Sequence, residues 1–326
     1  MFTLVSLLAG APSWAQTGLE SVGVYSSDQV PANPSMKTSF VSPNERDPQE
    51  ALGIWNEAPG GLYLSVGTER GFIGASLANN TTHLLLVDVD PKVMIYDRMN
   101  IALMKLSKDR KDYLQLRYKT SQQEWLRRAS LDSRLSKDEI QVLSSAENYK
   151  FWKQAVTFKS WFMYDNALPK KDKGEGKEFN KANYLVYDDQ FLRLKSMADS
   201  GRIRFTSLNL NDQTAVSHLV KQLSDLKIKI SVLDISNAWW GTYVAESNIN
   251  YFVKEFAKIS TSESLLLMTE KAYFKKGPSR WDYFGFRVKE LADQNAALIF
   301  RKSSGLQPGI VNALGESALF CSRALL

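Results

Sequence analysis

The chain has 326 residues, 44% hydrophobic and 23% charged, with 41 Lys and Arg against 35 Asp and Glu for a formal charge of +6. That balance excludes a disordered chain, a coiled coil and a collagen-like fibre, and so small a basic surplus gives no reason to expect a nucleic-acid partner. A single cysteine, Cys321, excludes an internal disulfide and a cysteine-rich zinc site, and with only two histidines, His83 and His218, no metal site is expected.

Residues 1–15 (MFTLVSLLAGAPSWA) combine an apolar run from Leu4 to Ala11, a helix-breaking Pro12, and small residues at Ser13 and Ala15. That pattern fits a signal peptide cut before Gln16 and a periplasmic or secreted protein. No Lys or Arg precedes the run, so the alternative is a buried N-terminal helix and a cytoplasmic location. No later segment has 18 consecutive apolar residues, so no transmembrane segment is expected. Residues 16–60 are rich in turn formers and read as an extended arm over the domain that follows, 61–326.

Leu62 to Val66 is a short β-prone run ending at Gly67, with a helix from Phe72 to Leu77 closely behind. Leu84 to Val87 is a continuous apolar strand, as in a parallel sheet buried on both faces. It stops at Asp88-Val89-Asp90-Pro91, where Asp90 and Pro91 have the character of an N-cap and first helical residue. Residues 108–181 read as a helical insertion that ends in a mobile polar loop, Lys170 to Lys181. The alternation then resumes: helix 188–200, strand 203–208, helix 214–226, strand 228–235, helix 249–259, strand 265–269, helix 281–293 and a last strand at 297–301. The order predicts an α/β fold with a doubly wound, mostly parallel sheet.

Such sheets bind ligands at the carboxyl ends of their strands. Four loops qualify: 67–71, 88–91, 209–212 and 234–240. In the first, Gly67 and Gly71 flank Glu69 and Arg70, where a glycine allows close backbone approach and a helix N-terminus offers free N–H groups. In the second, Asp88 ends the strand about 20 residues beyond Gly67, the place where nucleotide-binding folds use a carboxylate on a ribose. Asn209, Asp234, Ser236 and Asn237 complete the set, with Asn44 and Glu45 as candidates from the arm. Trp239, Trp240 and Tyr243 could stack on a base, but burial against the helical insertion is the favoured expectation. No G-x-S-x-G elbow, P-loop or H-E-x-x-H motif occurs, and no catalytic residue is assigned.

The strand, Gly-containing turn and acid-tipped second strand LLLVDVDP resemble class I S-adenosylmethionine-dependent methyltransferases. The resemblance implies a Rossmann-like fold, with Gly67 and Gly71 against the methionine part of the cofactor, Asp88 on its ribose and the loop starting at Asn209 beside the adenine. The family turn reads acid-x-Gly-x-Gly-x-Gly; here Ser65 stands at the acid and Glu69 at the middle Gly, and Asn209 replaces an adenine-side acid. A closer resemblance, carried by FVSPNE, LYLSVGTERGFIGASL, the LLLVDVDP segment, YDDQFLRLKSMADSGRIRFTSLNL and VLDISNAWWGTY, is to a poorly characterised bacterial family, many members exported, with a GVGPEQNF-like turn. The resemblances imply S-adenosylmethionine as cofactor and methyl transfer to an acceptor as activity, with a nucleoside-type small molecule as the ligand. An exported, non-catalytic binding or scaffold protein on the same sheet is the alternative. A nucleotide-sugar or NAD enzyme is weaker, for want of the three-glycine turn.

Overall fold

A computed structural model describes residues 19, 22, 41, 43, 45, 47–159, 182–241, 243–272, 280–303, 309–311 and 317–320. The proposed signal peptide, Asn44, the 170–181 loop and Cys321 lie outside them.

The chain forms a short 3-10 turn (Pro48–Ala51) and α1 (Leu52–Asn56), then β1 (Gly61–Val66), α2 (Glu69–Leu77), β2 (Thr81–Asp88) and α3 (Pro91–Leu106). Four helices follow before the next strand: α4 (Arg110–Tyr118), α5 (Gln122–Ala129), α6 (Lys137–Ser144) and α7 (Ala146–Gln154), the last running into a π-helical turn at Ala155–Lys159. The remainder comprises α8 (Asp188–Asp199), β3 (Ile203–Ser207), α9 (Gln213–Asp225), β4 (Ile230–Ser236), α10 (Glu246–Ala257), β5 (Ser260–Ala272), β6 (Arg280–Arg287), α11 (Val288–Ala292), α12 (Ala296–Ser303), β7 (Gly309–Val311) and β8 (Ser317–Phe320).

The strands form one sheet in the order β3-β2-β1-β4-β5-β6-β7-β8. The first five are parallel, and β6 runs antiparallel to β5. The fold is therefore a doubly wound, mostly parallel α/β sheet of the methyltransferase-like Rossmann kind. The chain winds outward from β1 to β3, then returns to add β4 on the other side of β1, which places the topological switch between β1 and β4.

Continuous apolar runs make the central strands. Every residue of β4 is buried, as are Leu84 to Val87 of β2, because helices cover both faces. Tyr63, Leu84, Leu86, Val232 and Leu267 belong to a first core with α1 to α8. Leu64, Leu85, Leu233 and Met268 belong to a second core with α9 to α12, which also takes in Leu19 and Val22. Helices α4, α5 and α7 start on side-chain caps: Asp109 accepts from Asp112 N, Ser121 from Glu124 N, and Ser145 from Asn148 N. Ser136 and Glu139 form a reciprocal capping box.

Three sequence expectations are corrected. Residues 281–287, expected as helix, form β6, with Trp281 and Tyr283 facing the first core and Phe284 and Phe286 the second. Residues 297–301, expected as strand, lie in α12. Residues 48–56 of the arm, expected to be extended, form the 3-10 turn and α1.

Candidate ligand site

β1 and β2 are parallel neighbours, with Val66 paired to Val87, so the bend after β1 and the acid that ends β2 lie side by side on one edge of the sheet. The N–H of Gly67 donates to Val87 O at 3.0 Å. Gly67 has φ +84, a conformation glycine takes without strain, and a Cβ built there would meet nothing within 4 Å. Gly71 has a different task. A Cβ there would lie 2.9 Å from the Ser65 Cβ and collide with Leu86 Cδ2, so this glycine lets α2 sit down on β1 and β2. Asp88 is half-buried, and its Oδ1 accepts the Asp90 N–H at 2.8 Å. Burial pushes its carboxyl up to about 7, partly opposed by that hydrogen bond. Asp90 turns to α3, where its side chain accepts from Lys92 N at 2.8 Å.

Glu69 and Arg70 begin α2 and point in different directions. Glu69 is fully buried beneath α3 and α4, where the Arg117 guanidinium lies 2.6 Å from its Oε1. Tyr184 donates to Oε2 at 2.6 Å, and Tyr96 donates to Oε1. Rings of Tyr96, Tyr113, Tyr118 and Trp152 surround the guanidinium with centroids 5.3 to 6.0 Å from Cζ. The Glu69 side chain is thus directed into the core between α2, α3 and α4.

Arg70 reaches across to β4. Its Nε donates to both oxygens of the fully buried Asp234, at 2.9 and 3.0 Å. Tyr63 donates to Asp234 Oδ2 at 2.8 Å and accepts from Trp55 Nε1 at 3.0 Å. Burial opposes the charge on Arg70, but Asp234 and Glu45 outweigh it and hold the guanidinium charged. Burial raises Asp234 while Arg70 and Tyr63 pull it back. Glu45 lies 3.7 Å from Arg70 Nη1 and accepts hydrogen bonds from Ser236, at the end of β4, and from Thr269 on β5 at 3.4 Å. The Tyr283 ring covers Arg70, 5.3 Å from Cζ to centroid. These side chains fill the first-core side of the β1–β4 switch.

The remaining candidates lie at turns. Ser236 adopts φ +51, unusual for a residue with a side chain, and its N–H donates to Asp234 Oδ1 at 3.1 Å. The carbonyl of Asn237 accepts from Trp240 N at 3.2 Å. Asn209 forms a local turn, its side chain accepting from Asn211 N at 2.9 Å, while Asp212 caps α9. The Leu208 N–H, one residue before Asn209, donates to Asp88 O at 3.1 Å, which keeps that loop beside Asp88. Of the aromatics after β4, Trp240 packs against the first core, which includes the helices between β2 and β3. Trp239 meets Phe300 of α12, and Trp240 stacks with Trp281 of β6 and with Tyr243.

Sequence reading missed two polar groups beside Gly67. Asp97, on α3, is 1% exposed, and its carboxyl faces the hydroxyl of Thr68, itself 3% exposed, which favours the charged form against burial. The signal was an Asp at position 97 inside the otherwise apolar-rich VMIYDRMNIALM, where a carboxylate on the packed face of a helix is costly unless something meets it. Among the described residues no group of three or more His, Cys, Asp or Glu could hold a metal ion, and no helix is long and apolar enough to cross a membrane.

The model of the family described as "Domain of unknown function (DUF7790)" matches residues 40–310. The chain belongs to that family. A search of curated proteins finds no match. Among solved structures, the chain is similar to the rRNA methyltransferase AviRa from Streptomyces viridochromogenes. One structure of that enzyme matches at 14% identity and TM-score 0.30, covering 68% of this chain and 69% of that one. Another matches at 14% identity and TM-score 0.33, covering 74% and 79%. Overlap this loose transfers no residue role to this chain.

Proposed function

We propose that the recess between Gly67 and Asp88 takes a nucleoside-type ligand, S-adenosylmethionine in the first instance, and that the protein transfers a methyl group from it to an acceptor. The observation that supports this reading most is the open glycine bend beside a half-buried carboxylate on adjacent parallel strands. Gly67 offers backbone approach, Asp88 would accept from the ribose hydroxyls, and the Asn209 turn would border the base. The cofactor, when bound, supplies the methyl group. The chain's own residues bind and orient, and because such transfer draws mainly on proximity and alignment, no acid–base pair is demanded. Glu69, paired with Arg117, and Arg70, paired with Asp234, hold the frame rather than lining the recess.

Calorimetric titration with S-adenosylmethionine and S-adenosylhomocysteine tests this. Binding is expected for both, and Asp88→Ala is expected to weaken it by about tenfold or more, since hydrogen bonds to a charged group are worth about 1.5–3 kcal/mol. No binding of either compound at millimolar concentration sinks the enzyme reading.

A second reading, a non-catalytic binding or scaffold protein on the same sheet, draws on the side chains that close the β1–β4 switch. It also suits an exported protein, for which the mass of the mature chain decides whether residues 1–15 are removed.

A further inference from the structure

Arg70 is enclosed but only half used. It is 7% exposed, and its Nε donates to both oxygens of Asp234. The outer fork of the guanidinium is served far less well. Nη1 stands 3.7 Å from Glu45, beyond hydrogen-bond length, and Nη2 has no hydrogen-bond partner among the described residues. The Tyr283 ring lies 5.3 Å from Cζ, and a ring face is a poorer partner for an N–H than a carboxylate. Two hydroxyls border the fork. β4 and β5 are parallel, with Ser236 paired to Met268, so Ser236 and Thr269 are neighbours. Both donate to Glu45, and neither is more than 8% exposed. Ser236 holds a left-handed φ of +51 with its N–H tied to Asp234, which fixes its hydroxyl beside Arg70. Arg70, Ser236 and Thr269 all meet Glu45 through one oxygen, Oε1. A carboxylate free to turn could lay both oxygens on the fork, the stronger arrangement.

We propose that Arg70, Ser236 and Thr269 form a carboxylate seat, which Glu45 fills as a tethered occupant and from which the carboxylate of a small ligand displaces it. The exchange swaps one negative charge for another, so the buried pair of Arg70 and Asp234 keeps its balance. Asp47, two residues from Glu45, also has a left-handed φ, +56, which bends the leading segment next to the occupant. Beyond that bend the segment stays anchored, because Trp55 on α1 donates to Tyr63 and Tyr63 to Asp234. The seat draws on β4 and β5, whereas the Gly67–Asp88 recess lies on β1 and β2, so it does not depend on the nucleoside reading.

Sodium acetate is the probe, with sodium chloride at equal ionic strength as the control, and the full chain is used throughout. Thermal unfolding reads binding, and hydrogen exchange in the peptide carrying Glu45 reads displacement. Glu45→Ala should melt below wild type, and acetate should raise its Tm where chloride does not. Wild type should take acetate about tenfold more weakly or worse, because the tethered carboxylate competes at an effective concentration on the order of millimolar. Acetate should also speed exchange around Glu45 in wild type, a response that a fixed structural anchor would not give. Adding Ser236→Ala to Glu45→Ala should cut acetate affinity by about tenfold or more, as expected for losing a hydrogen bond to a charged group. Equal acetate affinity in wild type and Glu45→Ala, no gain over chloride in Glu45→Ala, or an affinity that survives Ser236→Ala overturns the seat. Unchanged exchange around Glu45 in wild type overturns the displacement, and that measurement needs no variant to fold. None of these results bears on the Gly67–Asp88 recess.

Discussion

The acids around the turn between β1 and α2 are treated in opposite ways. Glu69 is met by a guanidinium, two tyrosine hydroxyls and a surrounding cage of rings. Asp88 is given backbone amides and Asp97 the Thr68 hydroxyl, with no such cation for either among the described residues. All pay desolvation, but only Glu69 is given a cation from within. The contrast separates an acid that the fold compensates from acids that it leaves largely uncompensated, a distinction that burial alone does not make.

The largest expected effect breaks the compensated side. Arg117→Ala leaves Glu69 buried without its cation and is expected to lower stability by about 3–5 kcal/mol, read from urea unfolding. Replacing both partners, as Glu69→Gln with Arg117→Met, should recover most of that loss. A double variant as unstable as the single one would mean that the surrounding packing, not the ion pair, sets the cost.

A smaller effect is expected at Gly71, which seats the helix that carries both Glu69 and Arg70. Gly71→Ala pushes α2 against Ser65 and Leu86 and should cost about 1–3 kcal/mol, seen as a lower Tm. A neutral result would show that α2 can shift and would weaken the account of how the two groups are kept apart.

A pH-dependent effect sharpens the uncompensated side. Asp88 is pushed up to about 7 in the folded protein from an ordinary 3.8. Between those values the native state holds a proton that the unfolded chain has lost, so stability falls as pH rises from about 4 to about 7. Asp88→Asn should flatten that slope and be more stable than wild type at pH 8, the two converging near pH 4. Asp97 carries the same sign, so the double variant should be flatter still. Urea midpoints across this range decide it, and an unchanged slope would remove Asp88 as its source.

Much of the scaffold was legible because burial writes itself into composition. The runs LYLSV, LLLV and VLDIS read as doubly covered strands, and Asp90-Pro91 read as a helix start, because each rule is local. β6 was misread because Trp281, Phe284, Val288 and Leu291 fall at helical spacing, whereas its pairing with β5 is a tertiary fact. AALIF was ambiguous for the reason all short apolar runs are. The Glu69–Arg117 pair, 48 residues apart, leaves no spacing to read. Asp97 did leave a trace as an acid on an apolar helix, but its meaning depends on what the fold does not place beside it.

The stretch before β1 touches both sides of the sheet. Leu19 and Val22 are packed in the second core, whereas Val41 belongs to the first and Glu45 is bonded at the ends of β4 and β5. Through its described residues the leading segment therefore laces together the two helical layers on either face of the sheet. A shortened chain beginning at β1 would lose that lacing on both sides at once, and with it the carboxylate that faces Arg70.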